Sequence, residues 1–241
     1  TWNSAKFIQS QIESVKNACV GLEHEHIVVD NNSSDSTVKI LENIKDIVFI
    51  KNNQNLGFAK ANNSAVGIAK GKYVLFLNPD MELTANTKMK EITEYMEQNK
   101  QIGVLSCKLL NKSGEININE GPRRFPRVWE QLLLILKVPH VFGWILNKYH
   151  YKNLDLNKTQ TVDTVRGSFM LVRFEVIKKL EQAFDPRYFL WFEDVDFCRE
   201  VKRLGYTVVY NPNFSCIDLL GQSFGLENNL KRQKQFTKSM L

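Results

Sequence analysis

His26-Ile27-Val28-Val29-Asp30-Asn31-Asn32-Ser33-Ser34-Asp35 is the stretch on which the fold turns. Its first half is β-branched and apolar and reads as a buried strand. Its second half consists of short polar side chains that favour turns. Helical spacing follows over residues 38–44, with Asp35 or Ser36 as N-cap. The alternation then recurs: 47–51 reads as a second strand, 52–57 as a polar connection, 58–69 as a helix stopping at Gly71, and 73–77 as a third strand entering Asn78-Pro79-Asp80. A β-α-β-α-β order implies a parallel, Rossmann-like half-sheet. Its ligand belongs at the carboxyl ends of the strands, where the three polar clusters stand.

Downstream, 85–99 reads as a helix and 103–109 as a strand, whereas 112–158 is irregular and basic. Regularity returns with a strand over 162–173, a helix over 194–204 closed by Gly205, and a strand over 207–210. The chain of 241 residues and 27.9 kDa is long enough for one sizeable core, and 43% hydrophobic residues with only 12 Gly and 6 Pro exclude a disordered or collagen-like chain.

The net charge of +6 is local. Residues 121–140 carry +3 through Arg123, Arg124, Arg127 and Lys137 against Glu130, and 227–241 carry +3 through Lys231, Arg232, Lys234 and Lys238 against Glu227. The remainder balances, so a uniformly basic, nucleic-acid-binding shell is not expected. Cys19, Cys107, Cys198 and Cys216 form no C-x-x-C pair and read as free thiols in a reducing, cytoplasmic setting. The most apolar run, 128–146, is interrupted by Glu130, Lys137, Pro139 and His140, too soon for a membrane span. His24 and His26 lack a third ligand and read as a strand-edge pair rather than a zinc site.

Two acidic sites carry chemistry. Asp80, after an apolar strand, puts a carboxylate at a sheet edge, where it suits a hard cation shared with phosphate, although an isolated Asn-Pro-Asp before a helix more often simply opens a turn. Glu193-Asp194-Val195-Asp196 sets three carboxylates at a helix start, behind the aromatic run 188–192. Capping and general-base work stand level there, because an apolar wall raises a carboxylate's proton affinity. Arg166 and Arg173 flank an apolar strand, and either suits a phosphate.

Five motifs taken in order resemble the family 2 inverting glycosyltransferases of GT-A fold, in their rhamnosyltransferase-like branch: residues 28–35, Asn55-Leu56-Gly57-Phe58-Ala59 with Asn62, 76–80, Gly167-Ser168-Phe169-Met170, and 191–196. The resemblance implies one α/β domain over 1–225, with a nucleotide-sugar half (1–110), a mixed-sheet acceptor half (111–225), and a basic segment over 226–241. It implies that Asp30 contacts the nucleotide base, and that Thr1, Asn3, Asn32, Asn55, Gly57, Asn62 and Asn78 line the nucleotide-sugar side. Asp80 would hold Mg²⁺ or Mn²⁺ on the diphosphate. Asp194 would deprotonate an acceptor hydroxyl, with Glu193 and Trp191 shaping the acceptor side.

The family often has a metal-binding His where this chain has Asp218, an oxygen ligand expected to retain the metal. Only Thr1-Trp2-Asn3 matches the family's opening strand, so upstream sequence is expected. The implied function is sugar transfer from dTDP-rhamnose or a UDP-hexose to a glycan or lipid-linked acceptor in bacterial surface polysaccharide synthesis. The two basic segments would contact an anionic membrane peripherally at its cytoplasmic face, or form an acceptor-side lid. A non-catalytic GT-A domain that binds a nucleotide sugar or a membrane partner is the alternative.

Overall fold

The computed structural model describes residues 1–126, 154–219 and Ser239. The apolar stretch 128–146, Arg127 and nearly all of the basic C-terminal segment lie outside the described residues. Strands β1 (Ile27–Asp30) and β2 (Val48–Lys51) pair in parallel, with helices α1 (Ile8–Ala18) and α2 (Thr37–Glu42) packed by Ile8, Ile12, Val28 and Leu41. Helix α1, absent from the sequence reading, carries Ile8, Ile12 and Val15 at helical spacing. Helix α3 (Gly57–Val66) leads to β3 (Tyr73–Leu77). It ends five residues before Gly71, with Gly67 at its C-cap.

Among the described residues the half-sheet stops at two strands, which corrects the expected three-strand parallel unit. Strand β3 pairs antiparallel with a strand nearly a hundred residues later and belongs to the larger sheet. That sheet adds β4 (Met81–Leu83), β5 (Ile102–Leu110), β6 (Gln160–Thr161), β7 (Phe169–Arg173) and β8 (Thr207–Asp218). Its order is β3-β7-β5-β8-β4 with β6 on β8, and only β5 and β8 run parallel. Both halves of the chain therefore supply strands to one sheet. Residues 162–168, expected as strand, form an irregular link between β6 and β7.

The large sheet is buried on both faces, which is why its central strands are apolar without a polar side. Phe169 and Leu171 of β7 point to a core built with α4 (Met89–Gln98); Met170 and Val172 point to a core built with α5 (Phe174–Leu180) and α6 (Glu193–Arg203). Arg173 ends β7 and is buried. Its guanidinium donates to the carbonyls of Ile102 (3.2 Å) and Met96 (2.7 Å) and to the Tyr73 hydroxyl (3.1 Å), so of the two arginines flanking this strand it is the structural one. All four cysteines are free and buried.

Strand β8 runs eight residues past the expected end at Tyr210. At Asn211-Pro212-Asn213 stands a bulge: β8 advances from Asn211 to Ser215 while β5 advances only from Cys107 to Lys108. The extra residues let pairing resume and carry Asp218 to the end of the strand, opposite Met81.

Candidate active site

The polar connection after β1 is held by its own side chains. Asp30 is fully buried, and its carboxylate accepts from the Ser33 amide (2.9 Å) and hydroxyl (2.5 Å). Asn3 accepts from the Ser34 amide at 2.8 Å. Asp35, not Ser36, anchors α2, accepting from the Thr37 amide at 3.0 Å and from the Ala5 amide at 3.1 Å. Asn32 takes φ +63°, a conformation that Asn tolerates. Thr1 accepts from the Asn31 amide (2.9 Å) and donates to the Val29 carbonyl, as a parallel strand neighbour of Asp30 does. Asp30 and Asn3 thus shape the loop.

Asn31 is the residue that the sequence reading left out. Its amide donates to the Gly57 carbonyl (3.1 Å) and accepts from Asn52 (3.0 Å), tying the loop after β1 to the start of α3. Asn55 accepts from the Gly57 amide (2.9 Å), and Asn62 donates back to the Phe58 carbonyl (2.9 Å). Between β1 and β3 lies a cavity of about 210 Å³, and Thr1, Asn55, Gly57, Asn62 and Asn78 all line it. Five of the residues expected on the nucleotide-sugar side therefore share one hollow.

Gly167-Ser168 joins that side to the acidic helix. The Asn78 amide donates to the Ser168 carbonyl (3.0 Å), and the Gly167 amide donates to the Asp194 carboxylate (3.3 Å). Asp194 also accepts from the Val195 amide (2.8 Å) at the first turn of α6. Trp191 and Phe192, both at positive φ (+68° and +69°), deliver the chain into this turn, a strained entry of the kind kept at functional sites.

Burial raises the proton affinity of both Glu193 and Asp194, but not equally. Asp194 is countered by the nearby Arg123 charge and two backbone N–H groups, whereas the Asp194 charge drives Glu193 further up. Of the two, Glu193 is driven further up, because the Asp194 charge adds to its burial. One buried oxygen of Glu193 has no hydrogen-bond partner among the described residues. Three acids at this helix start exceed what capping needs, and a buried carboxylate of raised proton affinity suits general-base work.

Asp80 and Asp218 converge because β4 pairs with β8. Both are buried, at 3% and 5% exposure. Burial, and then the Asp218 charge, push the Asp80 carboxyl up to about 6 from 3.8. Two hard oxygen donors that repel one another suit Mg²⁺ or Mn²⁺ sharing its remaining positions with phosphate and water. Among the described residues no group of three His, Cys, Asp or Glu is placed to hold a metal by itself.

Because Asp80 binds its proton more tightly folded than unfolded, its contribution to stability is full below pH 3.8 and lost as pH rises through about 6. Asp80→Asn is therefore expected to stabilise metal-free protein at pH 7.5 by up to about 3 kcal/mol and so raise its melting midpoint, with little change at pH 4. Melting curves at the two pH values check it, and equal midpoints at pH 7.5 would refute the buried repulsion.

Three further groups gather here that spacing alone did not connect. Arg123 and Thr164 exchange backbone hydrogen bonds of 3.0 and 3.1 Å, pinning the 120–126 segment to the link before β7. Arg123 thereby comes near enough for its charge to act on Asp194. Glu120 pairs with Arg166 at 3.0 Å, and its charge also acts on Asp80.

Residues 1–181 match the family described as Glycosyl transferase family 2. The chain is similar to Rhamnosyltransferase WbbL of Escherichia coli (strain K12), at 29% identity over 203 residues, covering 81% of this chain and 73% of WbbL. Over 78 residues it is 42% identical to UDP-Glc:alpha-D-GlcNAc-diphosphoundecaprenol beta-1,3-glucosyltransferase WfaP of Escherichia coli, covering 32% of this chain and 31% of WfaP. Among solved structures it resembles the Mannosyltransferase PcManGT from Pyrobaculum calidifontis in complex with GDP-Man and Mn2+, with a TM-score of 0.63 at 17% identity, covering 92% of this chain and 55% of that one. This last likeness concerns the fold, which is of the GT-A type.

Proposed function

Because the chain belongs to glycosyl transferase family 2, we propose that it moves a sugar from a nucleoside-diphosphate sugar, dTDP-rhamnose or a UDP-hexose, onto a glycan or lipid-linked acceptor. The transfer inverts the anomeric carbon and serves the synthesis of a surface polysaccharide. The observation that carries this reading is the Gly167-Ser168 link, which hydrogen-bonds Asn78 on the donor side and Asp194 on the acidic side.

Asp194 takes the proton of the acceptor hydroxyl as that oxygen attacks the anomeric carbon, and the Gly167 amide and Arg123 keep the carboxylate ionised beforehand. Glu193 and Trp191 shape the acceptor side, Trp191 offering a face against which the sugar lies. The cavity residues Asn55, Asn62 and Asn78 take the donor. Asp80 and Asp218 would hold the divalent cation, whose charge offsets that of the departing diphosphate. One displacement needs one base and no covalent nucleophile, which fits a chain whose four cysteines are all free and buried.

Peripheral attachment at the cytoplasmic membrane face through the two basic segments belongs to the same proposal. It is supported by the diphosphoundecaprenol acceptor in the name of WfaP. Among the described residues no helix is long and apolar enough to cross a membrane.

The test is a thermal-shift screen of the full-length protein with UDP, dTDP, GDP and their sugars, with and without Mn²⁺. A nucleoside diphosphate at a hundred times its dissociation constant raises stability by about 2.7 kcal/mol, and the gain is expected to grow with Mn²⁺. The anomeric configuration of any product, read by NMR, then tests inversion. No shift with any nucleotide would overturn the reading, and shifts without turnover on any donor would favour the non-catalytic alternative.

A further inference from the structure

The pair Glu120–Arg166 has no part in the transfer described above, yet it stands where the two sides of the site meet. Arg166 precedes Gly167, whose amide reaches Asp194, and Ser168, whose carbonyl reaches Asn78. Its guanidinium donates to Glu120 at 3.0 Å, and Glu120 is close enough for its charge to act on Asp80. The two side chains are 23% and 27% exposed, open enough for a ligand to reach and sheltered enough for charge to matter. Arg173, the other arginine bounding this strand, is fully engaged in the core.

Charge balance indicates what such a pair is for. Two carboxylates on a divalent cation cancel, leaving a diphosphate, and the charge it gains on departure, without a counter-ion. A planar guanidinium suits phosphate oxygens in a two-pronged contact.

We propose that Arg166 binds the diphosphate of the donor and that Glu120 holds it in position until the donor arrives, the guanidinium then exchanging the carboxylate for phosphate oxygens. This inference rests on the donor-binding reading above. Glu120 is thus a positioning residue, and its removal frees Arg166 rather than disabling it.

The two variants are therefore expected to move nucleotide binding in opposite directions. By titration calorimetry of full-length protein with UDP and dTDP, in Mn²⁺ and in EDTA, Arg166→Ala should weaken binding roughly tenfold or more, as for loss of a charge-assisted contact. Arg166→Lys, which keeps the charge but not the fork, should fall between and serves if the alanine variant does not fold. Glu120→Gln should tighten binding several-fold. That gain should vanish in the Arg166→Ala background, since the two act through one contact. Uridine and thymidine, lacking phosphate, should bind all variants alike.

Weakening by both single variants, or a Glu120→Gln gain that survives without Arg166, would overturn the exchange. Wild-type binding left unchanged by Arg166→Ala would overturn the inference alone. No nucleotide binding by the wild type would overturn the donor reading and this inference with it.

Discussion

Asp194→Asn is expected to lower turnover by about 10²–10⁴-fold, the range for loss of a positioned general base. The substitution keeps size and removes the proton acceptor, so the thermal shift produced by a nucleoside diphosphate should not change. The pH profile gives a second signature. Burial raises the Asp194 carboxyl above its ordinary 3.8, against the pull of Arg123 and two N–H groups. A base works deprotonated, so the wild-type rate should rise with pH along a limb above the ordinary carboxylate range and then level off.

Asp194→Asn should lose that limb, whereas Glu193→Gln, which mimics the protonated form, should lose far less. The two carboxyls titrate as a pair, and the limb reports the pair. Wild-type turnover in Asp194→Asn would remove Asp194 as the base.

Gly57→Ala should cost about 3 kcal/mol or more in stability, a fall of roughly 6–12 °C in melting midpoint for a chain of this size. Gly57 has φ +82°, where an L side chain is strained. A Cβ there would also stand 2.4 Å from the Phe189 carbonyl oxygen and 2.7 Å from the Phe189 ring. The obstacle is backbone, and that same oxygen accepts the Phe58 amide at 2.7 Å, so it cannot yield without loss of the contact.

The displaced residues line the cavity between β1 and β3, and donor affinity should fall together with stability. Gly67→Ala is the control. That glycine is at φ −61°, with nothing nearer than 3.6 Å to an added Cβ, and melting should be nearly unchanged. Equal midpoints for the two variants would show that the approach of Phe189 is not a constraint.

The elements most legible in sequence are those whose burial is simplest. Strands β1, β3 and β7 are short β-branched or aromatic runs flanked by polar or breaking residues, and α6 has acids at its start and Gly205 just past its end. Residues 162–168 misread as strand because Val162 and Val165 are buried as a strand's would be. Burial there comes from packing under α6, and the backbone is left free to bind Arg123 and Asp194.

The last strand departs in the opposite direction, ending at Asp218 where Tyr210 was expected. Proline normally marks the end of a strand, but here it occupies a bulge, where its missing N–H leaves no gap in the ladder. Asp30 and Asn3 read as ligand contacts because short polar side chains serve loops and ligands alike. Only the positions of Ser33 and Ser34 show that the loop claims them.

By itself the sequence determined that this is a single α/β chain with acids at the carboxyl ends of its strands, and that Asp80 and Asp194 are its chemical candidates. Those features depend on side-chain type and local spacing, which are written residue by residue. Only the tertiary structure decided that β3 leaves the first sheet for β7, that Asp218 meets Asp80, that Glu120 pairs with Arg166, and that Arg123 comes near Asp194. Such contacts join residues dozens of positions apart through strand register and loop pinning, and no local pattern carries that information.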